Sequence, residues 1–179
     1  MDHTPLHETK IHGIKTFPYS VYRGNIPKWI PSFPLHWHDD FELIYCTDGQ
    51  IQVTLWGHAY TLCAKDLIVI LPHAVHSIEQ GGPDGGEYFN LMFHPSLFKG
   101  AEEDLCYEKY VLPFMNDERN MNCFHPADSP FNRAVTPAVL WMLAHRSDSY
   151  TTQELMIKSN LFLLLDCINR HSTAASNDN

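Results

Sequence analysis

His36-Trp37-His38-Asp39-Asp40-Phe41-Glu42 opens the stretch HWHDDFELIYCTDG, residues 36–49, and a further histidine, His76, follows a second apolar run. On a strand, residues two apart point to one face, so His36 and His38 project together, and the chain that follows can bring Glu42 beside them. With His76 supplied from another strand, three imidazoles and one carboxylate converge inside a small β-barrel. Such a set suits one divalent transition metal (Zn, Ni, Fe, Mn or Cu), and spacing alone does not choose among them. The same groups can instead satisfy one another as a hydrogen-bonded polar cluster at the barrel mouth.

Around this stretch the sequence reads as short strands. Ile51, Val53 and Leu55 alternate with Gln52 and Thr54, the period of a half-buried strand. Phe41 to Cys46 is read as its hairpin partner, joined through Thr47-Asp48-Gly49-Gln50, where Asp-Gly suits a tight turn. Leu67 to Leu71 is a continuous aliphatic run closed by Pro72, and Phe89, Leu91 and Phe93 alternate before Pro95. Between them Gly81-Gly82-Pro83-Asp84-Gly85-Gly86 reads as a flexible loop, either a plain connection or a lid.

From about Asp128 the texture turns helical. Ser96 to Val111 has helical spacing in places, with acidic Glu102, Glu103 and Asp104 suiting a first turn and Pro113 stopping it. Asp128-Ser129-Pro130 reads as cap and first-turn proline of a helix toward Trp141 and Leu143, which Pro137 would kink or restart. Thr151-Thr152-Gln153-Glu154 has capping-box spacing, and Ile157, Leu161, Leu164 and Ile168 follow as an apolar stripe. That stripe packs either on the barrel or on a second copy of the chain. The domain reading is therefore an N-terminal arm over 1–16, a β-barrel over 17–95, helices over 96–171 with a dimerisation helix at 151–171, and a disordered tail over 172–179.

Composition sets the outer limits. The chain has 179 residues, enough for one sizeable core, and 44% of them are hydrophobic. Five cysteines without a C-x-x-C pair argue against a disulfide framework or a cysteine-based zinc site and for a reducing, cytoplasmic setting. No leader-like or bilayer-spanning apolar run is present, so no membrane partner is expected. A net charge of −9 opposes contact with a phosphate backbone.

The stretch HWHDDFELIYCTDG resembles the first motif of the cupins, matching its two histidines, glutamate and terminal glycine, with Ile30 in place of the leading glycine. KDLIVILPHAVHS, residues 65–77, is similar to a degenerate second motif. It keeps His76 at the ligand position and has Lys65, Leu71, His73 and Gln80 where glycine, proline, glycine and asparagine are usual. Together with the terminal leucine-rich helix, this wording resembles the sensor half of AraC-family transcriptional regulators over about Phe17 to His171. The resemblance implies a mainly β cupin barrel (a double-stranded β-helix or jelly roll) followed by a C-terminal α dimerisation segment. It also implies a small-molecule effector, a homodimer, and DNA contact only through a C-terminal helix-turn-helix domain absent from this chain.

The barrel interior is the expected effector site. If Glu42 faces inward, so do Ile44 and Cys46, and on the strand at 87–94 the set Tyr88, Asn90 and Met92 is preferred over Phe89, Leu91 and Phe93. His73 and His94 fit no spacing rule of the cluster and read as structural or surface residues. Ile157, Leu161, Leu164 and Ile168 are the candidate dimerisation residues. A non-catalytic sensor is thus favoured, with no catalytic residues, over the alternative of a small metal-dependent cupin enzyme (oxygenase, isomerase or lyase).

Overall fold

A computed structural model describes residues 6–100, 103–117, 119–147 and 151–174. Its centre is β3, Phe41–Leu55, a strand long enough to belong to two sheets. The first half of β3 lies between β5, Leu67–Ile70, and β7, Gly86–Phe93, and beyond these stand β9, Phe124–His125, and β1, Tyr19–Ile26. Its second half lies between β4, His58–Cys63, and β6, His76–Gln80, and β6 also pairs β2, Phe33–His36. All of these pairings are antiparallel.

The hairpin expected at Thr47 to Gln50 is corrected by this course. Cys46 opposes Tyr88 and Asp48 opposes Glu87, so Thr47 is the extra residue of a bulge and the strand continues. Gly49 takes φ +66 beside Gly85 and turns the chain from one sheet into the other. A left-handed glycine serves a corner as well as a turn.

Period-two alternation now separates two cores. Ile44 and Cys46 of β3, Ile68 and Ile70 of β5 and Tyr88 of β7 fill the barrel interior. Phe41, Leu43 and Tyr45, Leu67 and Val69, and Phe89, Leu91 and Phe93 face outward and are covered by helices. The Leu67–Ile70 run is unbroken because both of its faces are buried.

The covering helices are α3, Pro130–Ala144, and α4, Gln153–Arg170. Ser129 caps α3 by accepting from the Asn132 amide, with Pro130 in the first turn. Pro137 does not restart the helix, which runs through it with the Thr136 hydroxyl donating to Asn132 O. At α4 the capping box does not form, because Thr152 makes no side-chain cap. Ile157, Leu161, Leu164 and Ile168 all lie in the chain's own core against α3 and the sheet, which corrects their assignment to a dimer face. The large hydrophobic side chains that α4 exposes are Leu155, Met156, Phe162 and Leu163.

Between barrel and helices, Asp104 caps α1, Leu105–Tyr110, by accepting from the Cys106 and Tyr107 amides. Pro113, expected to stop a helix, sits in the first turn of α2, Leu112–Met115, where a proline lacks no needed donor. β9 returns to pair β5, so the barrel's sheet extends past the boundary at 95. The tail is corrected in part: β10, Ser172–Ala174, pairs β8, Arg119–Met121, while 175–179 lie outside the described residues. The glycine segment 81–86 is no loose loop. A Cβ on Gly85 would overlap Ile26 O, one on Gly86 would crowd the Gln50 backbone, and Gln80 Nε2 donates to Gly82 O and Pro83 O. Close backbone approach, rather than flexibility, explains these glycines.

Candidate metal and ligand site

The β2–β6 register sets His36 opposite His76, with ring centroids 4.2 Å apart. His38, just beyond β2, completes the group at 5.7 Å from His36 and 5.0 Å from His76. One nitrogen from each ring lies within 4.8 Å of the others. Glu42, one turn of sequence later on β3, enters from the facing sheet and is buried, as are His38 and His76.

Each imidazole is oriented by its own backbone. His36 Nδ1 lies 2.8 Å from Pro34 O, His38 Nδ1 3.1 Å from Asp40 O, and His76 Nδ1 2.8 Å from Ala74 O. A carbonyl can only accept, so every Nδ1 donates and the Nε2 atoms are left to face the interior. Glu42 Oε2 stands 3.1 Å from His38 Nε2 and 3.0 Å from His76 Nε2. The His76 contact is out of hydrogen-bonding direction, and His76 Nε2 is buried with no hydrogen-bond partner. Ring nitrogens held by Nδ1–H···O=C bonds, with their other lone pairs converging on a carboxylate, are the arrangement by which proteins hold a transition metal. The donor set fits such an ion.

The electrostatics fit the same reading. Burial alone would raise the Glu42 carboxyl, but His38 and His76 outweigh it and hold the group far below the ordinary carboxylate range. Burial pulls His38 down, yet Glu42 outweighs that and leaves it raised above 6.5. His36, desolvated and beside His76, is lowered. Cys46 is pushed up to about 12 by burial and is no nucleophile.

A cavity of about 210 Å³ adjoins the cluster. His36, Glu42, Tyr88, Asn90 and Met92 line it, whereas Ile44 and Cys46 do not, being packed into the apolar interior beside it. Asn90 Oδ1 is buried without a hydrogen-bond partner. The segment 81–86 does not line the cavity, so the lid reading lapses. His73 instead faces Asp39, and His94 caps the short turn Pro95–Phe98.

Sequence reasoning draws an arm over 1–16 but assigns none of its residues to the site. Glu8, Lys10 and His12 roof the cavity, and His12 Nδ1 lies 3.1 Å from the Tyr22 hydroxyl. The density of histidines near the start of the chain was the one available signal.

Two antiparallel sheets sharing a bent strand, with three imidazoles and a glutamate at one mouth, define a cupin-type barrel. Residues 19–165 match the family described as AraC-like ligand binding domain, and the chain belongs to it. No curated protein matches. Solved structures similar to part of the chain include a predicted oxalate decarboxylase from Thermotoga maritima, 26% identical over 41% of this chain and 64% of that one, TM-score 0.38. An RmlC-like cupin from Shewanella frigidimarina is 21% identical over 42% and 65%, TM-score 0.37. The DMSP lyase DddQ from Ruegeria pomeroyi is 17% identical over 48% and 40%, TM-score 0.37. The chain spans less than two thirds of the length of each. Among the described residues no helix is long and apolar enough to cross a membrane.

Proposed function

We propose that this chain is the effector-sensing and dimerisation domain of an AraC-type transcriptional regulator, with DNA contacted by a further domain outside this sequence and the whole acting in the cytoplasm. The observation that carries this reading is the two-sided role of β7. Tyr88, Asn90 and Met92 line the cavity on one face, and Phe89, Leu91 and Phe93 meet the α3–α4 core on the other. A small molecule in the cavity therefore presses on the strand that supports the helices. Sensing requires that it bind two arrangements unequally, typically by about 1 to 3 kcal/mol.

His36, His38, His76 and Glu42 would hold a divalent transition metal, which when bound supplies a positive charge that binds and polarises an effector oxygen. Tyr88, Asn90 and Met92 orient the remainder of the effector. The converging Nε2 atoms also favour a second reading, a small metal-dependent cupin enzyme. Beyond the cluster and the arm, the ionisable groups lining the cavity are Arg23, which is engaged with Glu87, and the Tyr22 and Tyr88 hydroxyls.

The test is a thermal-shift screen of small metabolites on the zinc-loaded chain, followed by product analysis of each binder. Binding that Asn90→Leu weakens, without turnover, supports the sensor. Conversion of the bound compound would replace it with the enzyme.

A further inference from the structure

We infer that Glu8, carried on the N-terminal arm, is an additional ligand of the three-imidazole site, so that an ion bound there ties the arm to the barrel. The inference rests on the metal reading of His36, His38 and His76.

The arm is seated on the segment that carries the imidazoles. The Trp37 amide donates to Leu6 O at 3.0 Å, the Glu8 amide donates to Trp37 O at 2.8 Å, and the His7 ring stacks on Trp37 with centroids 4.0 Å apart. Trp37 stands between His36 and His38, so pairing with it sets the register of Glu8 over their rings. The Glu8 Oε2 atom then lies 3.6 Å from His36 Nε2.

That contact joins two electron-pair donors. His36 Nδ1 donates to Pro34 O, which leaves Nε2 as a lone pair, and a carboxylate oxygen has only lone pairs to offer. Without something positive between them they repel. Two atoms on one metal, each at about 2.0 to 2.2 Å, are separated by about 3 to 3.6 Å at octahedral to tetrahedral angles, which matches the spacing here. His12 Nε2, 3.9 Å from the same Glu8 oxygen, is buried with no hydrogen-bond partner. It lines the cavity beside Glu8 as a second arm group aimed at this spot.

Charge points the same way. A divalent ion held by neutral imidazoles and Glu42 alone retains a positive charge in a poorly solvated site, and a second carboxylate neutralises it. Glu42 approaches through His38 and His76, and Glu8 through His36, so the two acids flank the cluster from different sides.

The experiment uses the full chain stripped of metal, with zinc chloride as the probe. Zinc affinity is measured by competition with a chromophoric chelator, and amide hydrogen exchange of residues 6–12 is followed with and without zinc. The parent should bind one zinc and exchange these amides more slowly when loaded. Glu8→Gln should bind zinc about tenfold or more weakly and lose the zinc-dependent protection of the arm. An affinity within twofold of the parent, or arm protection that persists in Glu8→Gln, overturns the inference while leaving the three-imidazole site in place. If the parent takes up no zinc, as His36→Ala/His38→Ala should not, the metal reading and this inference fall together.

Discussion

Nε2 of His76 stands 3.0 Å from Oε2 of Glu42, and the same oxygen lies 3.1 Å from Nε2 of His38, so one buried carboxylate atom faces two imidazoles and is hydrogen-bonded to His38. In the metal-free chain Glu42 is ionised and His38 holds its proton above the ordinary range. A histidine raised in the folded state contributes its full stability below 6.5 and loses it as pH rises through the folded value. The depressed Glu42 contributes above 4.5 and loses that as pH falls toward its folded value. The melting temperature of metal-free parent should therefore decline as pH rises above 6.5 through this pair. Glu42→Gln should flatten that decline and bring the His38 titration, followed by NMR, below that of the parent.

Metal retention should map onto the cluster and not onto histidine content. His36→Ala with His38→Ala should remove bound metal, while His73→Ala and His94→Ala should leave elemental analysis unchanged, because those two rings serve Asp39 and the Pro95–Phe98 cap. Loss of metal in His73→Ala would move the site.

The imidazole site was legible because a strand's period of two acts over two residues and needs no knowledge of the rest of the fold. His36 and His38 lie together with His76, which strand pairing supplies, and Glu42 reaches His38 and His76 from β3. Tyr88, Asn90 and Met92 share one face for the same reason, and the strand's other face is the helix-covered one. Gly49 misled because φ > 0 is a local requirement shared by turns and bulged corners, and only the β7 register tells them apart. Glu8 and His12 carried no periodic signal at all. Glu8 is placed by backbone pairing with Trp37 and His12 by its contact with the Tyr22 hydroxyl, tertiary events that side-chain pattern does not encode.

His125 gives the opposite pH response. Burial against the Phe131 ring, 3.9 Å away, lowers it to about 4. Its contribution is complete above 6.5 and is lost as pH falls from there toward 4, a loss on the order of 2 to 3 kcal/mol. His125→Phe retains an aromatic face toward Phe131 and should remove that share of acid destabilisation in urea unfolding at pH 7 and pH 4. An unchanged pH difference would exclude His125 as its source.

Gly85→Ala tests whether close approach explains the glycine segment. Gly85 has φ +71, and a Cβ there meets Ile26 O and the Pro27 ring, so the variant should lose about 1 to 3 kcal/mol or more. Gly57, at φ +80 with open space around it, should lose only the conformational term of about 1 kcal/mol when changed to alanine. Equal urea midpoints for the two variants would remove the packing explanation.

The two faces of α4 should separate stability from association. Leu161 is fully buried, and Leu161→Ala should cost about 2 to 5 kcal/mol, lowering the melting temperature by roughly 5 to 15 °C without changing the mass in solution. Leu155 and Leu163 are 69% and 59% exposed, so charged residues there remove little folded-state packing. They do disrupt an apolar surface that the proposed dimer would cover. Leu155→Glu with Leu163→Glu should keep the parent's melting temperature at low concentration and shift sedimentation from dimer to monomer. If the double variant sediments as the parent does, pairing through α4 is excluded, and the outward stripe has to be assigned to another contact.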